Sequence, residues 1–512
     1  MSVLTGLQPA NVFRFFEEIC GIPHGSGNVD RISDYLAAFA KDRRLFYIQD
    51  EAKNVIIIKA ATPGYEEEPA LIIQGHMDMV AVKKPDCDIN LETDGLRVAI
   101  NGDKIYAEGT SLGGDDGIAV AYALAILDSN ELKHPRIEVV ITVDEETGLD
   151  GAKAIDLSVL KGSRLLNLDS EEEGVFLTSC AGGARVACNL PVNKSDVEGV
   201  AVEIVVNGLQ GGHSGAEIHK ERGNSNCLMA RLLQEMTGQM PVALLDLKGG
   251  LADNAIPRET VATVVVAEEE KDFFLAMAET VAREWQAELA SKDPGVKVGL
   301  REIGSGVYSC VTTEDTRKAM AYLYACPNGV QAMSADMPGM VETSLNMGIL
   351  ELKECVERSK KDDHSHGAGG ESGVAENGTG EKNGPAIGAR FNVRSSVESA
   401  KEALIAKLAV ITELAGADME ISGEYPGWQY RVESPLREKM MQVYREMYGT
   451  EPKVEAIHAG LECGILGSKI KDPDCVSMGP DMRDIHTTEE TLSISSVARV
   501  WDYLVKLLET KD

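Results

Sequence analysis

The chain has no uninterrupted apolar run of the ~18 residues that a membrane-spanning helix needs, so none is expected. Its ten cysteines form no CxxC pair and keep no regular spacing, and a chain this long builds an apolar core without disulfide staples. Reduced thiols in a cytoplasm are the expectation. The opening stretch, MSVLTGLQPANVFRFFEEIC, lacks the basic-then-apolar order of a secretory signal, which points the same way. Basic residues are scarce as well: 50 Lys and Arg stand against 82 Asp and Glu, a formal net charge of -32. That charge repels phosphate backbones, and no basic groove signature offsets it. Neither a nucleic-acid nor a membrane partner is expected.

What is present is the composition of a soluble globular protein, 44% hydrophobic and 26% charged over 512 residues, a length that suggests two domains. The first 185 residues alternate helix and strand. Residues 10–20 and 29–40 have helical periodicity, with Asn28 placed to cap the second helix. NVIIIKA, PALIIQGH, IEVVITVD and RLLNLD read as strands, several of them apolar on both faces, as in a sheet covered by helices on either side. From about residue 186 strands dominate, broken by helices near 222–237 and 270–291, which suggests an α+β module with helices on one face of a mostly antiparallel sheet. Residues 359–385 are polar and glycine-rich and read as a solvated loop; the His364-x-His366 pair inside it is read as part of that loop rather than as a metal site. Helical texture resumes after about residue 398.

Five short motifs carry metal-binding side chains at predicted strand ends or in loops: His76 in LIIQGHMDMV, Asp115 in GTSLGGDDGIAVAYALAIL, Glu146 in RIEVVITVDEETG, Asp169 in RLLNLDSEE and His486 in SMGPDMRDIHTTEE. Three carboxylates and two neutral imidazoles supply a charge of -3 to two divalent cations about 3.5–4 Å apart, and bound water then becomes a nucleophile near neutral pH. Mixed His and carboxylate ligation suits zinc, with cobalt or manganese also compatible. Asp78, two residues beyond His76, shares its face if the chain is extended and can then accept the imidazole's second N–H. Of the adjacent Glu145 and Glu146, one can bind metal while the other moves the proton of the attacking water. The spacing alone leaves open which does what. A ligand as late as His486 requires the C-terminal part to rejoin the first. The expected organisation is therefore a catalytic domain in two segments, 1–185 and 399–512, with an inserted domain at 186–398.

This ordered set resembles the di-zinc metallopeptidase family of carnosinases, aminoacylases and bacterial deacylases. GLQGGHSGAEIHKERGN, DNAIPRE, FNVRSSVES, IHAGLECGIL and SMGPDMRDIHTTEE are similar, more narrowly, to its aminoacyl-histidine dipeptidase branch. The resemblance implies an α/β, zinc-peptidase-like catalytic domain with a mixed, helix-flanked sheet and an inserted α+β lid that can support a homodimer. It implies that His76 and Asp169 hold one metal, Glu146 and His486 the other, and that Asp115 bridges them. Asp78 would orient His76, Glu145 would be the general acid/base, and the Asp115–Asp116 bond would be cis. His213 would donate to the scissile carbonyl, with His219 the weaker match. Arg394 would pair with the substrate carboxylate, and Asn254 and Gly460 would be further substrate contacts. The activity implied is hydrolysis of unblocked dipeptides, including Xaa-His and β-alanyl-histidine, by a metal-activated bridging water. The alternatives are an N-acyl amino acid amidohydrolase and, more remotely, a non-catalytic metal-dependent binding protein; a two-metal phosphodiesterase is disfavoured by the acidity.

Overall fold

A computed structural model describes residues 3–354 and 384–512. His364, His366 and nearly all of the 359–385 tract lie outside the described residues. The chain divides into two compact units: Met1–Gly182 with Ala335–Pro338 and Tyr425–Asp512, and Gly183–Ser334 with Gly339–Glu424.

In the first unit, eight strands form a mixed sheet in the order Phe46–Gln49, Val55–Lys59, Ile137–Thr142, Leu71–His76, Arg164–Asn167, Asp474–Ser477, Val175–Cys180, Lys453–Ile457. The double-sided apolar runs make this a three-layer structure. Val55, Ile57, Ile73, Val139 and Ile141 pack in one core with residues of the helices Ala10–Cys20, Asp30–Asp42, Gly114–Asp128, Pro435–Tyr448 and Ile494–Glu509. The intervening Ile56, Ile58, Ile72, Val140 and Leu165 pack on the opposite face, with Ala152 and the Cys463, Ile465 and Leu466 side chains of helix Glu462–Lys469. Each Val, Ile or Leu among these side chains stabilises the fold by about 1.5–3 kcal/mol on full burial. The neighbours Ile137–Thr142, Leu71–His76, Arg164–Asn167 and Asp474–Ser477 run parallel, so their carboxyl ends share one edge. Open α/β sheets gather ligands at that edge.

One local expectation fails. Asn28 does not cap helix Asp30–Asp42; Val29 occupies that position without a capping side chain, and the Asn28 amide instead donates to the Glu92 carbonyl at 3.0 Å. The short polar side chain finds a loop carbonyl rather than its own helix.

The second unit is an antiparallel-rich sheet. Lys194–Asn207 pairs with Thr260–Val266 and Lys297–Val311, and Val341–Lys353 pairs with Ala386–Ser395. Val200, Val202, Ile204 and Val206 face a core shared with Leu232, Phe274, Trp285, Leu323 and Leu408, all borne on helices. The alternate residues Ala201, Val265 and Cys310 form only a small cluster on the other face. This is the helices-on-one-face arrangement that the strand-rich texture suggested. Helix Glu398–Ala415 and strand Asp418–Tyr425 as far as Glu424 belong to this unit, so its C-terminal limit lies later than the helical texture placed it. Leu404, Ile405 and Leu408 are buried in the second unit's core, which is what decides their membership.

Among the described residues, no helix is long and apolar enough to cross a membrane, and the nine described cysteines are free.

Candidate metal centre

The strand Leu71–His76 ends on His76, which is buried. Its Nδ1 donates to the backbone carbonyl of Asp78 at 3.0 Å. A carbonyl only accepts, so Nδ1 carries a proton, and in the neutral ring Nε2 is left to present its lone pair to a cation. That Nε2 lies 3.1 Å from Asp115 Oδ1 and 3.5 Å from Asp169 Oδ1. The Asp78 carboxylate is the more distant partner of Nδ1, at 3.4 Å. It is also engaged elsewhere: Ser26 Oγ donates to it at 2.8 Å, and the backbone N–H groups of Glu145 and Glu146 donate at 3.1 and 3.4 Å. Asp78 therefore ties the His76 strand to the turn that follows the neighbouring strand, a contact that sequence spacing did not reveal.

Asp115 stands at the start of helix Gly114–Asp128, after Gly113 in the left-handed region (φ 68°), and its peptide bond to Asp116 is cis. The turn is gripped by Glu490, whose buried carboxylate accepts from the backbone N–H groups of Leu112, Gly113 and Gly114 at 2.7–3.0 Å. Acceptors at a helix start satisfy donors that the helix itself leaves open. The two Asp115 oxygens point to different imidazoles: Oδ1 to His76, and Oδ2 to His486 Nε2, also at 3.1 Å. His486 Nε2 lies 2.8 Å from Glu146 Oε1. Glu145 and Glu146 open the short helix Glu145–Gly148 that follows strand Ile137–Thr142, and Asp169 follows strand Arg164–Asn167.

Among the described residues, three clusters able to hold a cation result: His76 with Asp116 and Asp169, His76 with Glu145 and Glu146, and Asp115 with Glu146 and His486. Asp116 was not anticipated. It is buried, and its Oδ2 accepts the His76 backbone N–H at 3.2 Å. The donor set fits divalent cations. Glu146 Oε1 is a buried oxygen 2.8 Å from the His486 imidazole nitrogen, a spacing that two ligands of one cation would take. Close approach of the helix start also requires Gly75: a Cβ there would stand 2.5 Å from Asp116 Oδ2.

Without bound cations the cluster holds protons. Contacts with Asp115 and Glu146 raise His486 to about 10, and burial lifts Asp169 to about 7 against the pull of His76. His76 is also raised: burial disfavours its charged form, but Asp169 and Asp115 outweigh it. Cation binding must expel these protons. Below pH 7 both Asp169 and His486 are protonated, and between 7 and 10 Asp169 has lost its proton while His486 retains one. Metal affinity should therefore climb as pH rises. Proton release on zinc addition, measured by calorimetry in buffers of different ionisation enthalpy, should be larger at pH ~6 than at pH ~8.5. Equal release at both would contradict this account.

Gly460 lies in the same unit, half-buried, where a Cβ would meet the Tyr425 ring at 2.8 Å. His213, Asn254 and Arg394 lie in the second unit. There the strand pair Gly212–His213 and Ala255–Ile256 joins the first two, with Ser214 N–H donating to the Asn254 carbonyl at 2.9 Å. Asn346 secures that loop by donating to the Asp253 and Ala255 carbonyls. His213 Nδ1 accepts N–H groups of Gly215 and Ala216 at 3.2 and 3.0 Å, so its proton sits on Nε2. Burial and the Arg394 charge both depress its pKa, which keeps the ring neutral. His219 is exposed. Arg394 is buried on strand Ala386–Ser395.

The profile of Peptidase family M20/M25/M40 matches residues 72–510, a span that takes in every residue of the cluster. The chain belongs to this family. It is a hydrolase, and the expected family resemblance and fold class hold. The peptidase is 33% identical to the cytosol non-specific dipeptidase of Escherichia coli (strain K12), over 99% of both chains. It is similar to the crystal structure of aminoacylhistidine dipeptidase from Vibrio alginolyticus, at 34% identity and a TM-score of 0.90, covering 100% of this chain and 98% of that one. The aminopeptidase PepT structure from Bacillus cereus ATCC 10987 shares the fold, at 16% identity and a TM-score of 0.59.

Proposed function

We propose that the peptidase is a metal-dependent dipeptidase that hydrolyses unblocked dipeptides, Xaa-His and β-alanyl-histidine among them. The observation that carries this is the single carboxylate of Asp115 reaching both imidazoles, supported by end-to-end similarity to two dipeptidases. His76 and Asp169 would hold one divalent cation, Glu146 and His486 the other, with Asp115 shared. Two such ions, zinc by donor type with cobalt or manganese compatible, polarise a scissile carbonyl and acidify water.

The chain's own groups supply the rest. Glu145 takes the proton of the attacking water and returns it to the leaving amine. Burial and the charges of Asp169, Glu462 and Glu146 hold its pKa well above the usual carboxylate range, against the pull of His76, which suits it to accept a proton. Asp78 keeps His76 and the Glu145–Glu146 turn in register. His213, neutral with its proton on Nε2, is a donor for the developing oxyanion. Arg394 pairs with the substrate's carboxylate, and Asn254 and Gly460 contact the substrate. A homodimer through the second unit belongs to the same reading; exposed Ile303 and Val307 on strand Lys297–Val311 are apolar surface suited to it. A cytoplasmic setting is consistent with the free thiols.

A panel of Xaa-His and other dipeptides, tripeptides and N-acetyl amino acids tests this after reloading with zinc, cobalt or manganese. Cleavage of the acetylated compounds alone would install the amidohydrolase reading instead. Arg394→Ala should raise KM at least ~10-fold for free-carboxylate dipeptides and far less for their amides, since a buried charge-assisted pair is worth about 1.5–3 kcal/mol. An equal effect on both would remove Arg394 from carboxylate recognition.

A further inference from the structure

Beneath the metal cluster, at the start of helix Glu462–Lys469, lies a fully buried carboxylate to which the proposed chemistry assigns neither a cation nor a proton transfer, Glu462. Its Oε2 accepts from Thr142 Oγ1 at 2.7 Å and from Gln74 Nε2. Gln74 Oε1 in turn accepts from Asn167 Nδ2 at 2.7 Å. These three partners stand at the carboxyl ends of three adjacent parallel strands. Gln74 is register partner of Asn167, and Thr142 of His76, so all lie on one face of the sheet. Each strand delivers a piece of the cluster two to four residues on: His76 after Gln74, Glu145 and Glu146 after Thr142, Asp169 after Asn167.

We propose that Glu462 is a positioning residue, a buried hydrogen-bond hub that sets the spacing of the three strand ends carrying His76, Glu145/Glu146 and Asp169. Backbone pairing fixes strand register but leaves twist and splay at the ends soft, and ligand geometry is sensitive to displacements well under an ångström. One acceptor shared by two strands, and relayed to a third, removes that freedom. The inference rests on the metal-centre reading.

The test compares Glu462→Ala, Glu462→Gln and Thr142→Val with the wild-type chain, reading zinc affinity by chelator competition and thermal unfolding without metal. Groups supporting metal ligands typically change affinity 10–100-fold. Glu462→Ala should weaken zinc binding by about that factor, whereas Glu462→Gln, which keeps an oxygen at the hub, should stay within about threefold. Thr142→Val should weaken binding in the wild-type background but add little to Glu462→Ala, because its hydroxyl acts through the missing acceptor. Additive losses, or a Glu462→Ala protein that binds zinc like wild type, would overturn the proposal. Should Glu462→Ala fail to fold, the Thr142→Val and Glu462→Gln affinities decide alone: wild-type zinc binding by Thr142→Val, or a ~10-fold loss in Glu462→Gln, overturns it. Wild-type protein that binds no divalent cation would instead refute the metal centre itself.

Discussion

Replacing Asp115 by Ala should empty both cation positions together and lower kcat/KM by ~10³-fold or more. Each of its oxygens lies 3.1 Å from a different imidazole nitrogen, so this one carboxylate spans both halves of the cluster. His76 would keep Asp169, and His486 would keep Glu146, each pair one acidic ligand short. Loss of several kcal/mol of charge stabilisation in the transition state translates into that rate factor. Metal analysis by atomic emission should show well under two ions per chain, alongside a circular dichroism spectrum like that of wild type. Two tightly held ions with normal turnover would dismiss Asp115 as the shared ligand.

Glu145→Gln should lower kcat by ~10²–10⁴-fold while KM and metal content stay near wild type. The adjacent glutamates share a candidate cluster with His76 but differ in their other contacts. Glu146 sits 2.8 Å from the His486 nitrogen, whereas Glu145 is anchored by its backbone N–H to Asp78 and holds its carboxylate half-buried beside the cluster. An amide of the same shape cannot accept the water's proton, so the loss should fall on the chemical step. The paired variant Glu146→Gln should show the opposite signature, with metal retention impaired. If the two variants exchanged behaviours, the roles of the two residues would have to be exchanged as well.

Strands and helices were legible where the apolar pattern was unambiguous. NVIIIKA, PALIIQGH, IEVVITVD and RLLNLD each contain a strand of the first unit's sheet, and residues 10–20 form the helix Ala10–Cys20. The helix Thr313–Ala325 passed unnoticed because its polar residues dilute its periodicity, and its burial depends on packing against helices Ser225–Thr237 and Glu398–Ala415. Asn28 illustrates the limit of capping rules: a favourable residue type found another partner in space.

The chain by itself determined which side chains are available at strand ends and loops for binding cations, because ligand types in ordered motifs are written in local sequence. It also determined the two-sided burial of the central strands, because that follows from side-chain alternation. Only the tertiary structure decided that Asp78 reaches the Glu145–Glu146 turn, that Glu490 grips the turn bearing Asp115, and that Asp116 and Glu462 lie against the cluster. Glu490 lies 375 residues beyond Asp115, and Glu462 320 residues beyond Thr142. Contacts across such separations exist only once parallel strands bring distant segments to one edge of a sheet, and residue spacing carries no record of them.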